Sequence, residues 1–559
     1  MIAGAVNAPA DPHSPLDSHS SLAQLVAQPT VAQSTPAQPP VADEPRGSAI
    51  DAWWARRLRS PLRQKLWYWG GPLLVLAVAA IARLWNLGYP HALVFDETYY
   101  VKDAYSLGQL GYEGSWPNNA NPQFEQGDTS GLSPIAAFVV HPPLGKWMIW
   151  LGIHVFGVDN AFGWRITTAL AGILAVWVVM MVARRLTDST LLAVIAGGLM
   201  AVDGTAIVMS RVAILDNWVM LFSLLGVAAV LADRNWHERR LRARLAKARS
   251  GTERVMWGPA FWWRPWLLTA GALFGATAAV KWSGVWFLAA FGAYLVAVDA
   301  LARKRAGLPL WFSAAVLKQG PIAALQLVLP AGAVYLASWS GWLLTSGGWD
   351  RNWAAEQGYS GPWPNWLVSL LHYHQQAYNY HVTLTTPHPY QANPLTWLFM
   401  IRPTSMYYVG SSAGENGCTA DQCSSAITDL GNPLIWWAAA AAVFFLVWRL
   451  IRRREWQIGL ILLGLAAGYL PWFMYLNRTV FQFYSIAFFP YLVLGLTWCL
   501  GLILGSRDDP RDRRERGIVL VGGFLALVVA VSVFFYPLWT GMQVPFVFWQ
   551  SHIWFPSWR

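Results

Sequence analysis

Long apolar runs separated by short polar connections dominate the sequence. Several reach about 18 residues or more, the length a helix needs to cross a hydrocarbon core. Spans are expected near residues 70–87, 163–182, 190–208, 212–232, 264–280, 284–301, 320–344, 433–451, 457–475, 480–503 and 517–538. This predicts an all-α polytopic membrane protein with about eleven transmembrane helices. One run, Leu144–Gly157, is only about 14 residues long and suits a re-entrant or interfacial helix better than a span.

Composition and charge then set a direction. With 559 residues, 55% hydrophobic and 12% charged, the chain is too apolar for a soluble protein. The net charge of +11 does not point to nucleic acid, because the basic residues sit in short clusters between apolar runs. If the N-terminus is cytoplasmic, Arg184-Arg185, the run Arg234 to Arg254, Arg303-Lys304-Arg305, Arg452-Arg453-Arg454 and Arg507 to Arg516 all face the cytoplasm. Counting Leu144–Gly157 as a span would place every later cluster outside.

The expected organisation follows from that orientation. Residues 1–66 form a disordered cytoplasmic tail, rich in Pro, Ala, Ser and Gln, with a basic juxtamembrane end and no signal peptide. Residues 67–538 form one cell-membrane domain, with large external loops at 88–162 and 345–432 and an external tail at 539–559. Cys499 lies in an apolar run and is expected to be inert, while Cys418 and Cys423, in an external loop, are either disulfide-bonded or free.

Against a featureless set of inner charges, the outer polar residues are sparse and placed. Asp96 and Glu97 stand where the first span ends, and Val101, Ala104, Tyr105 and Gly108 recur after them with the spacing of an interfacial helix. A carboxylate at that helix start can cap backbone N–H groups, which accounts for one acid but not the second. Lys146, in the first turn of the short run after His141-Pro142-Pro143, opposes the helix dipole and calls for an anionic partner or a lipid phosphate. Arg165, Arg211, Lys281, Arg402 and Arg478 run against the positive-inside bias, and convergent Arg and Lys suit a phosphate. Asp216 is a carboxylate at a membrane-span terminus and is a further site candidate. His372, His374, His381 and His388 do not share one helical face, whereas Trp366, Leu370, Tyr373, Ala377 and Tyr380 do. An interfacial helix with wet histidines is expected there, not a metal site.

The segments HPPLGKW (141–147), FGWR (162–165), SRVAILDNW (210–218), VKWSG (280–284) and RTVFQFYSIAFFPY (478–491), following the Asp-Glu loop in this order, resemble the protein O-mannosyltransferases. The resemblance spans about residues 68–538 and is to the actinobacterial form, since 345–432 is too short for the MIR domain of fungal and animal members. It implies a GT-C glycosyltransferase that moves mannose from polyprenyl-phosphate mannose to Ser/Thr-rich segments of exported proteins, with inversion. Membrane lipids are expected partners, and the secretion translocon is one the resemblance allows.

In this reading Asp96 is the base and Glu97 orients the acceptor. Arg165, Lys146, Lys281, Arg478 and Arg211, with Tyr484, hold the donor phosphate and lipid, and His141, Asp216 and Arg402 are further candidates. Phe483 stands where the family often has histidine, which separates this position from Tyr484. A divalent metal is compatible with this chemistry but not required. A transferase acting on a lipid or cell-wall glycan would present the same donor site. A transporter fits less well, because no inverted repeat is found.

Overall fold

Capping residues set where the helices begin. The computed structural model describes residues 46–249 and 255–559, so the tail expected to be disordered lies largely outside the described residues. Within it, residues 46–66 are folded: Ser48 caps a short helix, Ala49–Arg57, and Asp51 pairs with Arg514 at 2.8 Å. Helix α1 (Pro61–Leu84) starts under the Ser60 hydroxyl, with Pro61 in its first turn, so Arg63 and Lys65 ride on the helix itself. The first long connection carries α2 (Glu97–Leu110) and α3 (Leu144–Phe156), the short helix expected from its length. Helix α4 (Ala161–Thr187) begins at the Asn160 cap and ends in Arg184-Arg185.

The expected span 190–208 is broken. Helix α5 (Thr190–Val202) and helix α6 (Gly204–Arg211) meet at a 60° bend, and every residue of α6 is buried. Asp203 makes the corner. Its carboxylate caps the Ala206 N–H and also accepts from the Asn432 N–H at 2.9 Å and the Trp436 indole at 3.1 Å. Helix α7 (Asp216–Arg249) then carries the helical backbone through most of the basic segment taken for a loop.

Helices α8 (Pro265–Val280), α9 (Val285–Arg305) and α10 (Gly320–Ser338) follow, then α11 (Asn365–Thr383) in the second long connection. α8 lies between α7 and α10. A Cβ on Gly271 would stand 2.3 Å from the Leu327 carbonyl oxygen, and one on Gly275 2.4 Å from the Ala331 Cα. Only glycine permits so close a helix–helix approach. The bundle is completed by α12 (Pro433–Arg453), α13 (Trp456–Tyr469), α14 (Phe489–Leu504) and α15 (Arg511–Thr540).

Among the described residues, eight helices are long and apolar enough to cross a membrane, or nine if α5 and α6 form one bent span. Of the eleven spans expected, α8 and α14 fall short, at 16 residues each, whereas α13 reaches span length because a 3-10 helix, Leu470–Tyr475, continues it. The fold is mostly helical but not wholly so. Strands β1 (Thr404–Ser412), β2 (Gln422–Asp429) and β3 (Gln543–Pro545) form an antiparallel sheet in that order, which an all-α reading lacks. Cys418 and Cys423 are disulfide-bonded beside the β1–β2 turn. The expected C-terminal tail supplies β3 and buries Trp549 and Trp558.

Candidate active site

Phe95 sets up the acidic pair. Its backbone has φ 48°, a left-handed conformation that costs a bulky residue energy and persists only when its surroundings hold it. They do: the Phe95 ring packs edge-on against Phe481 and Phe483, at 5.6 and 5.7 Å. The next two residues then meet opposite surroundings. Glu97 is fully buried and accepts from Arg165 Nε and Nη2, both at 2.8 Å, from the Val94 N–H at 3.0 Å and from the Ala213 N–H at 2.7 Å. Asp96 is half-buried; its backbone carbonyl accepts from the Tyr99 and Tyr100 N–H groups, but its carboxylate caps nothing and makes no hydrogen bond or ion pair with any described residue. Burial pushes its carboxyl up to about 6; the Lys281 charge opposes that rise and the Asp216 charge adds to it. It is ionised at neutral pH and close enough to its titration point to take a proton.

A cavity of about 630 Å³ lies alongside. Much of its wall is apolar, including Val285, Trp286 and Leu288 of α9 and Val328 and Leu336 of α10, while Asp216, Lys281, His381, Arg478 and Tyr484 bring polar groups into it. Lys281 Nζ donates to Asp216 Oδ2 at 2.6 Å and stands 4.9 Å from the Tyr484 ring centre. Arg478 Nη2 donates to His381 Nδ1 at 3.0 Å, and its Nε is buried without a partner among the described residues. An apolar chamber with an ammonium and a guanidinium in its wall suits a lipid whose head is a phosphate.

Similarity to known proteins agrees with this chemistry. The family described as dolichyl-phosphate-mannose-protein mannosyltransferase matches residues 73–311, and the C-terminal four-transmembrane region of protein O-mannosyltransferase matches residues 366–558. A polyprenol-phosphate-mannose–protein mannosyltransferase of Mycolicibacterium smegmatis (strain MKD8) is 35% identical over 505 residues, 88% of this chain and 93% of its own. The chain belongs to the protein O-mannosyltransferase family. A second member, from Mycobacterium tuberculosis (strain H37Rv), is 34% identical and covers 87% of this chain and 91% of its own. The Saccharomyces cerevisiae Pmt1–Pmt2 complex bound to the sugar donor matches with a TM-score of 0.67 at 15% identity, over 92% of this chain and 95% of that one. That likeness concerns the fold, which is GT-C.

Within this family framework, the expected site residues divide into two groups. His141, Asp216, Lys281, Arg478 and Tyr484 line the cavity. Apart from the acidic pair, the remaining cations Arg165, Arg211, Arg402 and Lys146 are committed elsewhere, which departs from the phosphate role expected for them. All five N–H groups of Arg165 are used, on Glu97 and the carbonyls of Leu87, Pro90 and Ala92. Arg211 holds the carbonyls of Arg83, Trp85 and Asn86, and Arg402 those of Pro389, Ser557 and Arg559. Lys146 has the anionic partner its position called for, a buried ion pair with Glu113.

The histidines are not simply wet. His372 stacks on Trp353 at 3.9 Å, and His374 and His381 are half-buried in the cavity wall. Among the described residues, no three His, Cys, Asp or Glu side chains group to hold a metal ion. Sequence reasoning missed His381 as a site residue, and Arg83, which binds the carbonyls of Met200 and Ala201 where α5 ends. The buried arginine left a signal, a charge within an apolar run. His381 stood out only as one of four histidines in the second external loop, and was expected to be wet.

Proposed function

We propose that this chain transfers mannose from polyprenyl-phosphate mannose to Ser and Thr hydroxyls of exported proteins, with inversion at the anomeric carbon. The observation that carries this reading is the uncommitted Asp96 carboxylate within electrostatic reach of Lys281, beside an apolar cavity with cations in its wall. Asp96 takes the proton of the acceptor hydroxyl as its oxygen forms the bond to C1. The C1–O bond to phosphate breaks on the opposite face, and the electron pair leaves with the phosphate. Lys281 and Arg478 hold that leaving group as its charge grows, with Tyr484 beside Lys281. The lipid tail occupies the apolar part of the cavity. Glu97 does not touch substrate in this scheme: through Arg165 it fixes the loop that presents Asp96.

The basic clusters support an orientation in the cell membrane with the N-terminus in the cytoplasm and the site on the external face. Membranes containing this chain, supplied with polyprenyl-phosphate mannose and a Ser/Thr-rich peptide, test the proposal. Peptide should gain mannose in the anomeric configuration opposite to the donor's, and Asp96→Asn should slow the transfer about 100-fold or more. Mannose on lipid and none on peptide would overturn the acceptor; wild-type transfer by Asp96→Asn would overturn the base.

A further inference from the structure

Of the two cations in the cavity wall, Lys281 is already paired with a carboxylate, Asp216. Arg478 is not. Its Nη2 meets a neutral acceptor, His381 Nδ1, at 3.0 Å, and its guanidinium stands 5.8 Å from the Trp472 ring centre. The state of His381 follows from its other nitrogen. Nε2 lies 2.9 Å from the Val140 carbonyl oxygen, which can only accept, so Nε2 carries the hydrogen and Nδ1 offers a lone pair. The ring also stacks on His141, with centroids 5.1 Å apart. Burial first, and then the Arg478 charge, hold His381 down at about 4, so the imidazole stays neutral.

A neutral acceptor does something a carboxylate would not. An unrestrained arginine samples many rotamers, so an acceptor is needed to hold its fork in one orientation. A carboxylate would do so while cancelling the charge. Imidazole orients the fork and leaves its full charge for an anion.

We infer that His381 is a positioning residue, held by Val140, that aims the Arg478 guanidinium at the phosphate of the lipid donor. This rests on reading the cavity as the donor site. His381 makes no contact with the sugar or the acceptor in this scheme, so its effect falls on donor binding.

Steady-state kinetics of five variants, with thermal stability measured alongside, test the inference. His381→Phe keeps a ring to stack on His141 but offers no acceptor; donor KM should rise about tenfold, the worth of one net hydrogen bond, with peptide KM unchanged. His381→Asn places an amide oxygen near the Nδ1 position and should bring donor KM back toward wild type. His381→Gln reaches only the Nε2 position, retains the Val140 contact, and should not. Combined with Arg478→Gln, His381→Phe should add nothing further. Rescue by Gln and not by Asn would overturn the inference, since His381 would then serve only to hold Val140. If Arg478→Gln raises donor KM and His381→Phe, folded as wild type, does not, the positioning role fails and the donor site stands. If Arg478→Gln leaves donor KM unchanged, the donor-site reading itself fails.

Discussion

Glu97 and Arg165 form a buried two-pronged ion pair, Nε to Oε1 and Nη2 to Oε2, each 2.8 Å. The two residues are 68 positions apart, and the pair closes the loop that carries Asp96. Three further Arg165 contacts fix the carbonyls of Leu87, Pro90 and Ala92 in the same loop. The loop that carries Asp96 is thus built around a charge pair that water does not reach.

Breaking that pair is expected to destabilise the protein. Glu97→Gln or Arg165→Met leaves its partner buried and unpaired, at a cost of about 3–5 kcal/mol. The melting temperature of purified protein should fall for both. Asp96→Asn, which breaks no contact with a described residue, should melt as wild type. Equal melting of all three would contradict the division between the two acids.

Asp96→Asn should lower kcat by about 100-fold or more while leaving donor KM near wild type. In wild-type protein, protonation of Asp96 removes the base. The rate should therefore hold above the carboxyl's value of about 6 and fall as pH drops through it. A pH–rate profile flat from pH 7 to 5 would argue against this assignment.

The neighbours of Asp96 should move that acid limb in opposite directions. Lys281 stabilises the carboxylate and Asp216 destabilises it. Asp216→Asn should shift the limb to lower pH, and Lys281→Gln should shift it to higher pH while raising donor KM. Shifts of the same sign in both variants would show that these charges do not act on Asp96.

Gly275→Val places side-chain carbon where the Ala331 backbone lies, 2.4 Å from a built Cβ. α8 and α10 must separate, at a cost of roughly 2–3 kcal/mol. Both helices line the cavity, so donor affinity should fall together with the melting temperature. A stable variant with unaltered donor KM would show that the cavity does not depend on this approach.

Much of this protein was legible in the chain itself. Runs of apolar residues require helices in lipid, because no other open segment satisfies its backbone there, and the 13-residue α3 followed from its length. Of the expected stripe, Leu370, Tyr373 and Ala377 form the buried face of α11, while Trp366 and Tyr380 at its two ends are exposed. The acidic pair and the odd cations were visible as residues, but their partners were not. Which of two adjacent carboxylates meets Arg165 depends on where each points, and neighbours on a helix point about 100° apart. Arg211 and Arg402 spend their bonded donors, and Arg165 three of its five, on backbone carbonyls, which every residue carries and no sequence pattern marks. The bend at Asp203 depends on Asn432, 229 positions away, and the pairing of His381 with Arg478 spans 97. Periodicity and hydropathy act within a segment and so appear in the sequence; contacts between distant segments exist only once the chain has packed, and those contacts decided the site.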